Sequence, residues 1–327
     1  MRNRSDSLKV SPGGEGVACN WEYTRTLHIC DVFPFTGRWL LRRAMHDYPI
    51  RLQDRPAYVN EQQCCSNQSL EHDVIPEISF LIGHRGLERL SLLSSVLRSV
   101  AAQCEITFEV IVVDQDAESR IKEELPEWVR YIHDPCAPQA PYNRSRTMNI
   151  GAGHARAALL ILQDNDLLVP KQYGAEVLAR CKQGYEVVNL KRFIFYRAAP
   201  DSGGESVEDE CQRMRVESVL QNAKGGGTVA IQKSAFREIG GMDEDFVGWG
   251  GEDVEFWGRC LTRKVWGYGM MPIVHLWHPA QPGKRAKRGL GEHTADLTEA
   301  RLAMSAQDRI DELVNRAPST PVWSRGD

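Results

Sequence analysis

The sequence contains four short groups of residues whose side chains can do chemistry. The first is Asp164-Asn165-Asp166, which directly follows an apolar run. Two carboxylates two positions apart can share one hard cation, and oxygen ligands at an open site suit Mg²⁺ or Mn²⁺, which in turn bind a diphosphate. Taken alone, an Asp-x-Asp pair after a strand is more often a solvated turn, so both interpretations stay open at this point.

The second group is the glycine-rich run 248–253, with the sequence Gly-Trp-Gly-Gly-Glu-Asp. Glycines let a backbone approach a ligand closely, and the indole of Trp249 offers a flat apolar face that suits a sugar ring. Glu252 and Asp253 come at the start of the next predicted helix, where the helix dipole stabilises a carboxylate. The simpler alternative is a glycine loop with a helix cap, but the length of the run favours a binding site.

Two further groups carry side chains that bind metals and phosphates. His275 and His278 are three positions apart after an apolar run, so their imidazoles can close a metal site. The run 142–146, Tyr-Asn-Arg-Ser-Arg, has the side chains that hold phosphate. Each group also has a structural alternative, which is one buried and one exposed histidine in the first case and a helix start with solvated arginines in the second.

Length and composition exclude several classes of protein. The 327 residues are enough for two domains, or for one α/β domain with an extension. Hydrophobic residues make up 42% and charged residues 26% of the chain, which is ordinary for a soluble globular protein. The net charge of -4 argues against a protein that mainly coats nucleic acid.

The same composition predicts a cytoplasmic protein without a membrane anchor. No apolar run approaches the ~18 residues of a membrane helix, and the polar N-terminus lacks the apolar core of a secretory signal. The nine cysteines are scattered and include no Cys-x-x-Cys pair, which indicates reduced thiols rather than a disulfide framework or a zinc site.

Strands and helices alternate in the part of the chain that must position the first group. Continuous apolar runs predict strands at 78–82, 108–114 and 158–163, with a turn at 83–86, and helical spacing predicts helices over 88–103 and 144–158. A further short strand is expected at 131–132, between the second and the last of these strands. This alternation predicts a mostly parallel, doubly wound α/β sheet. In such sheets ligands bind at the carboxyl ends of the strands, so we expect the site there.

The remaining segments are less regular. We expect strands at 185–190, 227–232 and 271–276, helices at 234–239, 253–263 and 294–315, a loop at 279–293, a short helix at 36–47 and a polar linker at 64–73. Within the N-terminal extension 1–75, residues 1–16 are expected to form a loose polar tail, and residues 17–75, which contain aromatic and apolar anchors, are expected to pack on the main domain.

Taken together, the four groups resemble the GT-A glycosyltransferases, in particular the β-1,4-galactosyltransferase type and the bacterial family 2 enzymes that share its C-terminal motif. The resemblance rests, in chain order, on Gly-His-Arg-Gly (83–86), Tyr-Asn-Arg-Ser-Arg-Thr-Met-Asn-Ile-Gly (142–151), Leu-Gln-Asp-Asn-Asp-Leu-Leu-Val-Pro (162–170), Gly-Trp-Gly-Gly-Glu-Asp (248–253) and His-Leu-Trp-His-Pro (275–279). It covers about residues 77–280. Gly83 stands where the family usually has proline, so the first block is the least specific.

The resemblance implies a nucleotide-diphospho-sugar transferase fold and a hexosyltransferase. The donor would be a UDP-sugar, the cofactor Mn²⁺ or Mg²⁺, and the acceptor a carbohydrate or another molecule with a hydroxyl group, with inversion at the anomeric carbon. Residues 76–293 would form the catalytic domain, with a nucleotide-binding half at 76–170 and an acceptor half at 171–293. Residues 1–75 would precede it and 294–327 would follow as a helix and tail.

The resemblance also implies a role for each candidate residue. Asp253 corresponds to the catalytic base and Glu252 to the acceptor-binding carboxylate. Asp166 and His278 would bind the metal, and His275 stands where the family often has a methionine ligand. The donor side is implied for six residues: His84, Arg85 and Asp116 at the base, Arg144 at the diphosphate, Asp164 at the ribose or the metal, and Trp249 at the sugar.

The chemistry of transfer agrees with these roles. An inverting displacement needs one carboxylate to accept the hydroxyl proton and a cation to neutralise the departing diphosphate. Two other functions stay open: a nucleotidyltransferase, whose glycine-rich basic signature the first turn does not supply, and a non-catalytic carbohydrate-binding protein, against which Asp166, Asp253 and His278 count. Basic and glycine residues at 279–293 predict a lid that closes on the diphosphate.

Overall fold

A computed structural model describes residues 25–27, 75–199, 216–267, 269–279 and 292–316. The predicted helix at 36–47, the linker at 64–73 and most of the predicted lid at 279–293 lie outside these ranges. Within the described residues the chain forms a mixed α/β fold with two sheets. None of the helices in this part of the chain is both long and apolar enough to cross a bilayer.

The secondary structure has the following bounds. The strands are β1 (Arg25–Leu27), β2 (Ile78–His84), β3 (Phe108–Asp114), β4 (Val129–His133), β5 (Leu159–Gln163), β6 (Leu167–Leu168), β7 (Val187–Val188), β8 (Lys191–Arg197), β9 (Val216–Gln221), β10 (Thr228–Gln232), β11 (Val265–Trp266) and β12 (Met271–His275). The helices are α1 (Leu90–Ala101), α2 (Arg144–His154), α3 (Tyr173–Lys182), α4 (Lys233–Glu238), α5 (Glu252–Cys260), α6 (Glu292–Ala303) and α7 (Ala306–Asn315). Short 3₁₀ turns cover Leu87–Arg89 and Lys122–Glu124.

The larger sheet has the order β11-β7-β10-β5-β2-β3-β4, and its β5-β2-β3-β4 part is parallel. Strand β10 runs antiparallel to β5, so the sheet is mixed at this side. Strands β2, β3 and β5 are buried along their whole length, as expected for strands covered on both faces. The predicted mostly parallel α/β sheet is confirmed.

Two apolar clusters cover the two faces of this sheet. Alternate residues of a strand point to opposite faces, and accordingly Phe80 packs in one cluster and Leu81 in the other. The Phe80 cluster includes Leu93 and Leu97 of α1. The Leu81 cluster includes side chains from α2, α4, α5 and α7, among them Phe256 of α5. Helix α5, which carries the second candidate group, is therefore fixed directly on the sheet.

The smaller sheet has the order β1-β9-β8-β12-β6. It brings two distant candidate groups together, because β12 pairs with β6 so that His275 is opposite Leu167. The Leu276 amide extends this pairing by donating to the Asp166 carbonyl at 2.8 Å. Residues 25–27 pair with β9, so this part of the N-terminal segment does contact the main domain.

Several predicted bounds differ from the structure. The turn at 83–86 begins only after β2 has continued to His84, and the helix predicted over 144–158 ends at His154. The strand predicted at 185–190 is only Val187–Val188. The helix predicted over 294–315 is divided, because the Ser305 side chain accepts a hydrogen bond from the Asp308 amide and caps a new helix there.

Candidate active site

The four candidate groups meet at the carboxyl end of the larger sheet. Residues 164–166 follow β5 directly, Arg144 begins α2, and Glu252 and Asp253 begin α5. The pairing of β12 with β6 adds His275 to the same place. This arrangement agrees with the general position of ligands in open α/β sheets.

Asp166, His275 and His278 form a cluster that can hold a metal ion. Their ligand atoms all lie within 4.8 Å of one another. The Nε2 atom of His278 is 3.2 Å from Oδ2 of Asp166, and Nε2 of His275 is 3.8 Å from Oδ1 of the same carboxylate. One carboxylate and two imidazoles suit a first-row divalent ion such as Mn²⁺. The residues present therefore fit the metal that the sequence implies.

The Asp166 carboxylate is held in its charged form. Burial alone would raise its pKa, but a hydrogen bond from His278 and the charges of His275 and Arg89 lower the pKa of Asp166 to about 2. The ring of Tyr196, on β8, stacks on His275 with the centroids 4.6 Å apart. Burial raises the pKa of Tyr196 to about 12, so this phenol stays neutral beside the ligand cluster.

A second cluster joins two carboxylates through one guanidinium. Arg144 donates from Nε to Oδ1 of Asp164 at 2.7 Å and from Nη1 to Oδ1 of Asp253 at 2.9 Å. Burial raises the pKa of Asp164 to about 6, with Arg144 opposing the rise and Asp253 and Asp166 adding to it. Asp164 faces this second cluster, whereas Asp166 faces the histidines. The predicted contact of Arg144 with a diphosphate stays a prediction.

Glu252 has the most perturbed carboxyl group of the helix start. Burial raises its pKa to about 8, and the neighbouring charge of Asp253 contributes to the rise while Arg144 opposes it. Glu252 is therefore mostly protonated at neutral pH and can donate a hydrogen bond. A group whose pKa lies near the working pH is typical of functional sites.

Glycines let the backbone pack closely around Asp253. A Cβ atom on Gly226 would lie 2.8 Å from Oδ2 of Asp253, so any larger residue would force this carboxylate to move. Gly251, which precedes α5, has φ +93°, and a Cβ there would collide with Oγ1 of Thr298. All three glycines of the run 248–253 have a positive φ, and Gly251 in addition packs closely against α6.

Helices α6 and α7 hold the loop that leads into α5. Arg301 of α6 donates to Asp243 at 2.8 Å and to Asp245 at 3.0 Å, and it also pairs with Glu312 of α7 at 2.8 Å. The Thr294 hydroxyl donates to the carbonyl of Trp249 at 3.0 Å. The loop that carries Trp249 is therefore attached to a helical support on its outer side.

Helix α5 is attached to α7 through a buried ion pair. Glu255 and Arg259 form a two-pronged pair at 2.7 and 2.6 Å, and both side chains are fully buried. Arg309 of α7 donates to Oε1 of Glu255 at 2.9 Å and to its backbone carbonyl at 3.1 Å. Glu255 is two positions after Asp253 on the same helix, so these contacts fix the helix that presents Asp253.

The three residues predicted at the nucleotide base lie at the ends of β2 and β3. The His84 ring is fully buried: Nε2 contacts the Gly86 carbonyl at 3.0 Å, and Nδ1 accepts from Asn165 at 3.1 Å. Burial lowers the pKa of His84 to about 4, so the ring is neutral. Its role as a lining residue stays a prediction.

Arg85 and Asp116 follow the adjacent parallel strands β2 and β3, and the charge of Arg85 acts on the Asp116 carboxylate. Arg85 donates to the carbonyl oxygens of Ala140 and, at 3.1 Å, Pro138. Burial alone would raise the pKa of Asp116, but a hydrogen bond from Arg120 and one from the Ala117 amide lower it. Asp116 is therefore a charged acceptor at the edge of the sheet.

Two residues at the site had no signal in the sequence. Arg89 contacts Asp166 and His278, although nothing in the sequence distinguished it from the other polar residues of the predicted helix 88–103. Lys191, at the start of β8, is 1% exposed and donates to the Thr228 carbonyl. Burial lowers the pKa of Lys191 to about 7, while Asp253 and Asp164 oppose this. Because β8 was not predicted, nothing pointed to Lys191.

Two protein families match parts of this chain. Glycosyl transferase family 2 matches residues 88–239, and the N-terminal domain of galactosyltransferase matches residues 211–270. These ranges include Arg144, Asp164, Asp166, Glu252 and Asp253, so the matched segments carry both ends of the Arg144 cluster.

Curated relatives include several sugar transferases. The chain is 26% identical over 227 residues to polypeptide N-acetylgalactosaminyltransferase 4 of Caenorhabditis elegans, covering 61% of this chain and 37% of that protein. It is 24% identical over 213 residues to chondroitin sulfate N-acetylgalactosaminyltransferase 2 of Mus musculus, covering 62% and 34%. It is 26% identical over 223 residues to validoxylamine A glucosyltransferase of Streptomyces hygroscopicus subsp. jinggangensis (strain 5008), covering 55% and 52%. The chain thus spans from about a third to about half of these relatives.

A solved structure shares the fold. The crystal structure of GalNAc-T7 with UDP, GalNAc and Mn²⁺ superposes with a TM-score of 0.51 at 17% identity, covering 73% of this chain and 50% of that one. The predicted GT-A fold is thereby confirmed. Both matching families and all three relatives are sugar transferases by their descriptions, whereas the solved structure shows only that the fold is shared.

Proposed function

We propose that this chain is a metal-dependent glycosyltransferase that moves a sugar from a UDP-sugar to a hydroxyl of a carbohydrate or another acceptor. The observation that carries the proposal is the meeting of two clusters at one sheet edge: Asp166, His275 and His278, and the Arg144-bridged pair Asp164 and Asp253. The neighbour with UDP, GalNAc and Mn²⁺ supports the choice of donor and metal class.

The first cluster is proposed to bind the metal. A divalent cation held by Asp166, His275 and His278 would supply the positive charge that stabilises a departing diphosphate. Tyr196 keeps the His275 ring in place by stacking on it. The low pKa of Asp166 keeps this carboxylate ready to bind a cation throughout the neutral range.

The second cluster is proposed to activate the acceptor. Asp253 accepts the proton of the acceptor hydroxyl as the acceptor oxygen forms its bond to the anomeric carbon. The bond from that carbon to the diphosphate oxygen breaks in the same displacement, and the configuration inverts. Glu252, protonated at neutral pH, donates a hydrogen bond that orients the acceptor. Arg144 keeps Asp253 in position.

The donor is proposed to lie between the ends of β2 and β3 and the glycine run. Asp116, charged and at the sheet edge, accepts from the nucleotide base, and Arg85 lies beside it. Trp249 contacts the transferred sugar with its flat face. Tyr196 of β8 is opposite His275 and stacks on its ring, so we propose that this side chain contributes to the choice of donor and acceptor.

The proposal is tested by incubating the chain with a panel of UDP-sugars and measuring the release of UDP with Mn²⁺ and with excess chelator. We expect Mn²⁺-dependent release from at least one donor, and faster release when a suitable sugar acceptor is added. Release that is equal in excess chelator would contradict the metal dependence. NMR of the product's anomeric proton then distinguishes inversion from retention.

A further inference from the structure

One cation of the protein already lies on the proposed metal ligands. Arg89 ends the 3₁₀ turn before α1, and its Nη1 is 3.2 Å from Oδ2 of Asp166 and 3.1 Å from Oδ1 of Asn165. Its Nη2 is 3.1 Å from Nδ1 of His278. The guanidinium thus contacts two of the three side chains of the ligand cluster.

We propose that Arg89 is an internal cation that neutralises the metal ligands of the metal-free chain and has to leave Asp166 and His278 when a divalent ion binds. This inference rests on the proposed metal site. It concerns a competition within the protein, so its effect is on metal affinity and is measured without any sugar donor.

Charge is the first reason why the two states exclude each other. The Arg89 and Asp166 side chains are only 17% and 9% exposed, so solvent screens their interaction weakly. The Arg89 guanidinium compensates the negative charge of the Asp166 carboxylate at 3.2 Å. A divalent ion bound to the same carboxylate would lie next to that guanidinium, and two like charges a few ångströms apart repel strongly where water is scarce.

The proton on His278 is the second reason. A guanidinium can only donate, so Nδ1 of His278 accepts from Arg89, and the ring proton is then on Nε2, which faces Oδ2 of Asp166 at 3.2 Å. However, Nδ1 is also 2.8 Å from the Pro279 carbonyl, which can only accept. One nitrogen cannot serve both partners at the same time.

Metal binding selects between these two partners. An imidazole binds a metal through an unprotonated nitrogen, and its other nitrogen then usually donates to a carbonyl or carboxylate. If Nε2 of His278 binds the metal, the proton moves to Nδ1 and is donated to Pro279. Arg89 then loses its acceptor on His278 at the same moment as it loses Asp166.

The test is a titration of the nucleotide-free chain with Mn²⁺, followed by the loss of the EPR signal of free Mn²⁺. We expect Arg89→Met to bind Mn²⁺ about tenfold more tightly than the wild type, the shift expected for the loss of one hydrogen-bonded charge pair. Arg89→Lys should lie between them, since lysine keeps the charge but lacks the fork that contacts both ligands. Arg263→Met is the matched control: it removes an arginine paired with Glu186 and Glu238 and should leave the affinity unchanged.

The remaining outcomes distinguish a failure of this inference from a failure of the proposed function. Equal or weaker binding by Arg89→Met overturns the competition and makes Arg89 a support for the ligands. Failure of both the wild type and Arg89→Met to bind Mn²⁺ overturns the metal site itself, and the inference with it. Thermal unfolding checks that each variant is folded, and Arg89→Gln replaces Arg89→Met if the latter does not fold.

Discussion

Replacement of Asp253 by asparagine tests the proposed base directly. The substitution keeps the shape of the side chain, and its amide oxygen can still accept from Nη1 of Arg144, now 2.9 Å from Oδ1. It removes only the ability to take a proton. We expect the rate of transfer to fall at least about a hundredfold, the usual scale for a positioned general base, which corresponds to about 2.7 kcal/mol in the activation barrier.

The same substitution should change stability much less than activity. Asp253 and Arg144 are 28% and 11% exposed, so the pair is partly screened by water. Arg144 keeps its second partner, Asp164, at 2.7 Å. The lost charge should therefore cost about 1 kcal/mol, or roughly 2–4 °C in Tm. Differential scanning calorimetry measures this shift separately from the kinetics.

The assay measures UDP release and product formation at saturating Mn²⁺, with Glu252→Gln as the matched variant. Glutamine still donates a hydrogen bond, so Glu252→Gln should retain more activity than Asp253→Asn. UDP binding, measured by calorimetry, should survive in both. A near wild-type rate for Asp253→Asn would refute the assignment. Loss of UDP binding would instead make Asp253 part of the donor or metal site, with Glu252 the next candidate for the base.

Three further predictions concern the metal ligands, the buried His84 and Gly226. His278→Ala should weaken Mn²⁺ binding more than His275→Ala, since Nε2 of His278 is closer to Asp166, and the same EPR titration measures both. His84 has a pKa of about 4 when folded and 6.5 when unfolded, so the free energy of unfolding should fall by up to about 3 kcal/mol as the pH drops from 6.5 to 4. Urea unfolding at several pH values should show this slope reduced in His84→Asn, and an unchanged slope would contradict the assignment. Gly226→Ala should lower transfer while leaving Mn²⁺ binding intact, because the new Cβ displaces Asp253 but not the metal ligands; unchanged transfer kinetics would show that the carboxylate tolerates the shift.

The central sheet could be predicted because its strands are covered on both faces. Burial on both faces requires continuous apolar sequences, and 78–82, 108–114 and 159–163 are of this kind. Strand β8 was not predicted because its sequence, Lys-Arg-Phe-Ile-Phe-Tyr-Arg, mixes charged with aromatic residues. Its first residue is nevertheless buried, because tertiary packing and not local pattern decides its environment.

The groups of residues that form the candidate site could be predicted from the sequence, but the contacts between these groups could not. Asp166 and His278 were identified from short motifs, whose residue types suit a metal. The guanidinium between them comes from Arg89, which is 189 positions away from His278 in sequence. Similarly, the glycine run was interpreted as space for a ligand, whereas the structure also shows a collision with Thr298 that only Gly251 avoids. Neither contact can be predicted from the spacing of neighbouring residues in the sequence.

The contacts between α5 and α7 also affect the order in which parts of the protein can fold during synthesis. Glu255 leaves the ribosome 54 residues before Arg309. At ~5–20 residues per second this is a delay of roughly 3 to 11 seconds. Through that interval α5 lacks one of the partners of its buried carboxylate, and the apolar surface that α7 later covers through Ile310 is open to solvent. The helix that carries Asp253 thus gains its last packing partner only after α7 has been synthesised, and nascent chains stalled in this interval should be the form that chaperones bind.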